Sequence, residues 1–170
     1  MEFFPGFKPI RIATSGAEIN GVVGGNGPPV LLLHGWPQTH LIWRHVAPAL
    51  AQRFTVVATD LRGYGDSSKP PERENHAGYS KRAMAQDQIE VMRQLGFEQF
   101  AAVGHDRGGR VACRMTLDHP QAVTRLVLLD IVPTRTVYTE VSKNPSRRHC
   151  RRCCLPARPN RSCATSRSAA

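Results

Sequence analysis

Four short apolar runs, at 29–33, 54–59, 100–103 and 125–131, constrain what this chain can fold into more than any other feature. Each is β-branched or leucine-rich and far too short to be a buried helix. Continuous runs of this kind suit strands buried on both faces of a mostly parallel sheet. Helical periodicity fills the gaps between them. Ile42, Val46 and Leu50 lie on one face of a helix predicted over 40–53. Ala85, Ile89 and Met92 do so over 79–95, with Gly96 as the stop, and Val111, Ala112 and Met115 over 108–119, ended by Pro120. Ahead of these, 7–25 reads as an antiparallel hairpin broken at Ser15-Gly16 and Gly24-Gly25. Strands alternating with helices predict βαβ crossovers and an α/β fold with a doubly wound, mostly parallel sheet.

The alternation stops near Tyr138, and composition shows where the chain changes character. Of the 170 residues, 23 are basic and 13 acidic, a net charge of +10. Seven arginines and no acid fall in 145–170, so the remainder carries a net of only +3. The basicity that would suggest nucleic acid therefore belongs to the tail, and no nucleic-acid partner is expected. Four of the five cysteines (Cys150, Cys153, Cys154 and Cys163) lie there too, leaving Cys113 in the body. A body with one cysteine is no disulfide scaffold and fits a reducing compartment. The first ten residues lack the pattern of a signal peptide, and no apolar run approaches a membrane span. The expectation is a cytoplasmic protein with no membrane partner. Segment 145–170 has neither helical nor strand periodicity and too little apolar surface to offset its ordering entropy, which predicts disorder. Cys150-x-x-Cys153 has a zinc-ligand spacing but no second well-spaced pair, so no metal is expected.

The chemistry is concentrated in Gly104-His105-Asp106-Arg107-Gly108, where a predicted strand gives way to a predicted helix. Gly-x-nucleophile-x-Gly at such a junction is the sharp turn that lifts a nucleophile above the sheet in α/β-hydrolases. The central residue here is Asp106, which is ionised at neutral pH and needs no base for its first attack. A carboxylate suits displacement at a saturated carbon bearing a leaving group, forming an alkyl-enzyme ester. Water activated by a histidine would then attack the ester carbonyl, and an oxyanion hole would stabilise the intermediate. His34-Gly35-Trp36-Pro37 closes an earlier strand where this fold places an oxyanion donor, so the backbone amides of Trp36 and Arg107 are the expected pair. Asp60-Leu61-Arg62-Gly63-Tyr64-Gly65 follows the next strand, and three such loops converge on one crevice.

The segments HGWPQTHLIWRHVAPALA, DLRGYGDSSKP, YSKRAMAQDQIEVM, GHDRGGRVACRMTLDHP and LVLLDIVPT together resemble the haloacetate (fluoroacetate) dehalogenases. The resemblance runs from about Phe7 to Asn144, and Asp106-Arg107-Gly108-Gly109-Arg110 is its most specific part. It implies Asp106 as nucleophile, Arg107 and Arg110 on the substrate carboxylate, and Asp130 as the acid that orients the catalytic histidine. Two guanidiniums can each fork onto one carboxylate, so the pairing makes physical sense. The implied substrate is a short haloacid, with no cofactor. The related epoxide hydrolases usually carry tryptophan after the nucleophile, where this chain has Arg107.

In that family the histidine, the helical cap and further strands come later in the chain. Residues 1–144 are therefore expected to be the N-terminal part of an α/β-hydrolase core, with 145–170 a basic tail. The abrupt Arg/Cys/Pro/Ser vocabulary of that tail reads as GC-rich DNA translated in a wrong frame. A chain of this kind is expected to be inactive in turnover. An epoxide hydrolase-like fragment and a non-catalytic pseudogene product are the alternatives. A homodimer of the completed chain is left open. Of the histidines, His34 and His105 read as satisfied polar groups beneath the two site loops. His40, His45, His76 and His119 read as surface or helix-end residues, and His149 lies in the tail.

Overall fold

The computed structural model describes residues 3–71, 74–131 and 152–156. The hairpin forms as β1 (Lys8–Ala13) and β2 (Glu18–Gly24), paired antiparallel with Ile10 opposite Gly21. The four apolar runs become β3 (Pro29–Leu33), β4 (Thr55–Thr59), β5 (Phe100–His105) and β6 (Val123–Leu129). These pair parallel in the order β4-β3-β5-β6, and β2 joins the β4 edge antiparallel. β5 runs two residues beyond its apolar stretch because the register with β6 continues to the pair His105 and Leu129.

Three helices connect the parallel strands: α1 (Ala47–Leu50), α2 (Lys81–Gln94) and α3 (Arg107–Asp118). The alternation along β3 divides the core. Leu31 and Leu33 face one side, packed with Ile89, Met92, Val111 and Met115 of α2 and α3. Val30 and Leu32 face the other, with Trp43 and Ala47. Helices thus cover both faces, and the doubly wound architecture expected from the periodicity is the one observed. β3 lies between β4, reached by one crossover, and β5, reached by the next. The strand order reverses at that point, and a crevice opens at the carboxyl ends of β3 and β5.

One expectation is corrected. The helix predicted over 40–53 is a 3-10 turn (His40–Trp43) followed by the single-turn α1. Pro48 is the cause: it has no N–H for the carbonyl of Arg44, and its ring would collide with that carbonyl in a continuous helix. The break falls at 44–46. In the tail, the backbone of Arg152–Pro156 forms β7, antiparallel to β6 with Leu126 opposite Leu155. The edge of β6 offers an unpaired row of backbone groups, which can recruit an extended segment whatever its side chains. The disorder and wrong-frame readings for the rest of 145–170, and the roles weighed for His149, Cys150 and Cys163, fall outside the described residues.

A buried ion pair fastens the loop after β4 to α2. Arg62 Nε and Nη2 donate to Asp87 Oδ2 and Oδ1 at 2.5 and 2.6 Å, and Arg62 Nη1 donates to the Gly78 carbonyl at 2.7 Å. Thr14 Oγ1 donates to Asp87 Oδ1 at 2.7 Å, tying the β1–β2 turn to the same carboxylate. Removing one partner of such a pair leaves the other charge buried and uncompensated. Asp87→Ala is expected to lower stability by about 3–5 kcal/mol in urea unfolding; a loss below about 1 kcal/mol would show that Arg62 finds water instead.

Candidate active site

Asp106 stands between β5 and α3 with φ 45° and ψ −113°, a left-handed backbone that side chains rarely adopt. The surroundings force it. The Asp106 N–H donates to the Leu129 carbonyl at 3.1 Å, so the turn is hydrogen-bonded to the end of β6. A Cβ on Gly104 would lie 2.6 Å from the Gly108 carbonyl oxygen and the Gly109 backbone, and one on Gly108 would lie 2.5 Å from the Leu33 carbonyl oxygen. Only glycine allows the strand, the helix and β3 to close this tightly. Strain of this kind costs about 1–3 kcal/mol and persists where the fold over-determines it.

The loop after β3 meets the Asp106 carboxylate from above. The Trp36 N–H donates to Asp106 Oδ2 at 3.0 Å. Gly35 makes the approach feasible, since a Cβ there would sit 2.7 Å from Asp106 Cβ. Oδ1 accepts no hydrogen bond among the described residues. The Arg107 amide, the second donor expected from the sequence, makes no hydrogen bond to Asp106 in the structure. As the first N–H of α3 it is one of the orphan donors of a helix start.

Gln38, which sequence reasoning missed, holds this loop. Its Oε1 accepts from the Gly35 N–H at 3.2 Å and from His105 Nδ1 at 3.0 Å. No local pattern marks Gln38, because its two partners lie on different loops. His34 is fully buried: its Nδ1–H donates to the Gly35 carbonyl at 2.8 Å, and Nε2 accepts the Leu61 N–H at 3.0 Å. Both nitrogens are committed, and burial pushes its pKa below the ordinary histidine value. His34 is therefore a neutral strut between two loops, as the sequence suggested, and His105 is tied to the loop after β3 through Gln38. His40 departs from the surface reading. Its backbone N–H and Nδ1 both donate to Asp60 Oδ1, at 2.7 and 2.9 Å, with only 12% of the side chain exposed. Asn20 Nδ2 and the Asp66 N–H donate to the other oxygen of Asp60. Burial alone would raise the Asp60 carboxyl, but these donors outweigh it and bring the pKa down to about 2.

The remaining predicted residues are dispersed around the crevice. Asp130 follows β6 with φ 52°, exposed, on the strand next to the one that carries Asp106. Arg107 is exposed, and its Nη1 donates to the Tyr64 hydroxyl at 3.3 Å. Arg110 lies one helical turn further, with its Nε buried and without a hydrogen-bond partner among the described residues. A cavity of ≈ 350 Å³ opens here, walled by Trp36, Tyr64, Tyr79, Lys81, Met84 and Arg107 among others. Trp36 is 62% exposed at its rim. Lys81 was read from the sequence only as part of a helical period. The signal that could have singled it out is a cation on the first turn of a helix, where the macrodipole disfavours positive charge.

A strained Asp on a strand-to-helix turn, met by an amide from the loop after β3, sits at the switch point of a doubly wound sheet. The same pattern is recognised by the alpha/beta hydrolase fold family model, which matches residues 28–148. The chain belongs to the α/β-hydrolase fold family. A fluoroacetate dehalogenase from Burkholderia sp is 56% identical to this α/β-hydrolase over 140 residues, 82% of the chain and 46% of that protein. A soluble epoxide hydrolase from Corynebacterium sp. (strain C12) is 46% identical over 119 residues, 70% of the chain and 40% of that protein. The crystal structure of ALR0039 from Nostoc sp PCC 7120 superposes with a TM-score of 0.77 at 60% identity, covering 79% of this chain and 46% of that one. The α/β-hydrolase chain thus spans a little under half the length of these relatives. Among its described residues, no helix is long and apolar enough to cross a membrane.

The charge network gives stability a sign in pH. His34 is held neutral, so the unfolded chain takes up a proton that the folded one refuses as pH falls below 6.5. The Asp60 carboxylate contributes stability above its unfolded value of 3.8 that disappears as pH falls towards 2. Both act in one direction. Urea midpoints are expected to fall from pH 7.5 to pH 5, and again below pH 4. A midpoint that rises on acidification to pH 5 would contradict the assignment of His34 as a neutral strut.

Proposed function

We propose that this chain carries the nucleophile-bearing part of a dehalogenase acting on short 2-haloacids, with residues 1–144 as the N-terminal part of its hydrolase core. The observation that carries the reading is the division of labour on Asp106. One oxygen, Oδ2, is held by the Trp36 N–H, while Oδ1 accepts no hydrogen bond among the described residues. In this reading Oδ1 attacks the carbon that bears the halogen, a C–O bond forms, the carbon–halogen bond breaks, and halide leaves with the electron pair. Oδ2 becomes the ester carbonyl oxygen, already at a donor that stabilises the oxyanion when water attacks. Arg107 supplies its amide as second donor and, with Arg110, its guanidinium to the substrate carboxylate. Asp130 is the acid that would orient a water-activating histidine. No cofactor enters any of these steps. The identity to a fluoroacetate dehalogenase, and the cationic groups where a neutral epoxide needs none, support the haloacid.

Of the described histidines, the two in the loops at Asp106 are committed: His34 through both nitrogens, and His105 to Gln38. Ester hydrolysis by this chain therefore has no positioned base in these loops. Incubation with chloroacetate is expected to add one carboxymethyl group at Asp106, read by peptide-mapped mass spectrometry, with no continued halide release. Asp106→Asn should abolish the adduct. Sustained halide release that depends on Asp106 would overturn the single-turnover expectation, and no adduct in the folded chain would remove the dehalogenase reading. A second reading, epoxide hydrolysis, is favoured by the 46% identity to the Corynebacterium enzyme. Labelling of Asp106 by an epoxide such as styrene oxide, and not by chloroacetate, would select it.

A further inference from the structure

Lys81 occupies a position with three local penalties and, among the described residues, no hydrogen bond or ion pair to offset them. It is the first residue of α2, whose N-cap is Ser80, so its ammonium faces the positive end of the helix dipole. It is half-buried in the wall of the cavity that also holds Trp36, Tyr64 and Arg107. Among the described residues it forms no ion pair and donates no hydrogen bond. Burial, and then the charges of Arg107 and Arg110, depress its pKa, while Asp106 pulls the other way. Among the described residues neither arginine has an anionic partner: Arg107 donates to the Tyr64 hydroxyl, and the buried Arg110 Nε has no acceptor. Lys81 thus shares a cavity wall with Arg107 and lies within electrostatic reach of Arg110 and of one carboxylate, Asp106, an imbalance that an anionic ligand would relieve.

We propose that Lys81 is a third substrate-binding cation of this crevice, placed by α2 on the wall it shares with Arg107, and that it selects carboxylate substrates over neutral ones. The inference rests on the haloacid reading above and deepens it. α2 and α3 reach the cavity by their N-terminal ends, so their dipoles reinforce the three side-chain charges. Nothing in this arrangement serves an uncharged substrate, because a neutral group would leave the cations unpaired in a partly desolvated site.

The test has an equilibrium arm and a covalent arm, both on the whole chain. Acetate binding, followed by NMR shifts, is expected to weaken about tenfold in Lys81→Met and to recover largely in Lys81→Arg, on the scale of one charge-assisted contact. Acetamide, the neutral counterpart, should be unaffected. In the covalent arm, the preference for labelling Asp106 with chloroacetate over chloroacetamide should fall by the same factor. Equal acetate affinity in wild type and Lys81→Met would overturn the proposal. So would a loss shared equally by acetamide, which would mark a packing role, or a wild type that does not bind acetate. Lys81→Gln serves where the methionine variant does not fold. If acetate binding depends on Lys81 while neither reagent labels Asp106, the anion site stands and the dehalogenase reading alone fails.

Discussion

The backbone of Asp106 is the constraint on which the site depends. A left-handed aspartate is unfavourable by itself, and it survives because β3, β5, β6 and α3 close on it from every side. The Leu129 carbonyl accepts its N–H, Gly104 and Gly108 let strand and helix touch, and Gly35 brings the β3 loop onto its carboxylate. Each contact comes from a different element, so the geometry cannot relax in one place without opening the sheet elsewhere. What results is a carboxylate with one oxygen held by an amide and the other accepting no hydrogen bond among the described residues.

A shell of buried polar groups keeps the loops around Asp106 in place without occupying the cavity. Asp60 gathers His40, Asn20 and the Asp66 amide, which fixes the loop after β4 against β2 and the 3-10 turn. Arg62 leaves the same loop for Asp87 on α2, and His34 links that loop to the one after β3. Gln38 and His105 couple the β3 loop to the turn itself. Each of these groups has hydrogen-bond partners, whereas among the described residues Lys81 and the Nε of Arg110 have none. The contrast separates charges used to hold the fold from charges left available at the crevice.

Much of this was legible in the sequence, and the reason is locality. Strand and helix periods, the glycines flanking Asp106 and the stop at Gly96 report interactions within a few residues, and the sheet that resulted is the one they imply. The helix over 40–53 failed for a local reason as well: Pro48 outweighed the apolar period of Ile42, Val46 and Leu50. His40 does sit at a helix end, but its burial was not legible, because a histidine after a turn has no local signature of burial. Its partner Asp60 is twenty residues away and is brought near only by the crossover from β3 to β4.

The sequence by itself determined an alternating α/β chain with an aspartate on a glycine-flanked strand-to-helix turn, because those properties depend on neighbours along the backbone. Only the tertiary structure decided which amide meets Asp106 Oδ2, that Gln38 bridges two loops, and that Lys81 shares a cavity with Arg107. These depend on strand order. With β3 between β4 and β5, residues seventy positions apart arrive at one crevice, and no spacing along the chain encodes that arrival.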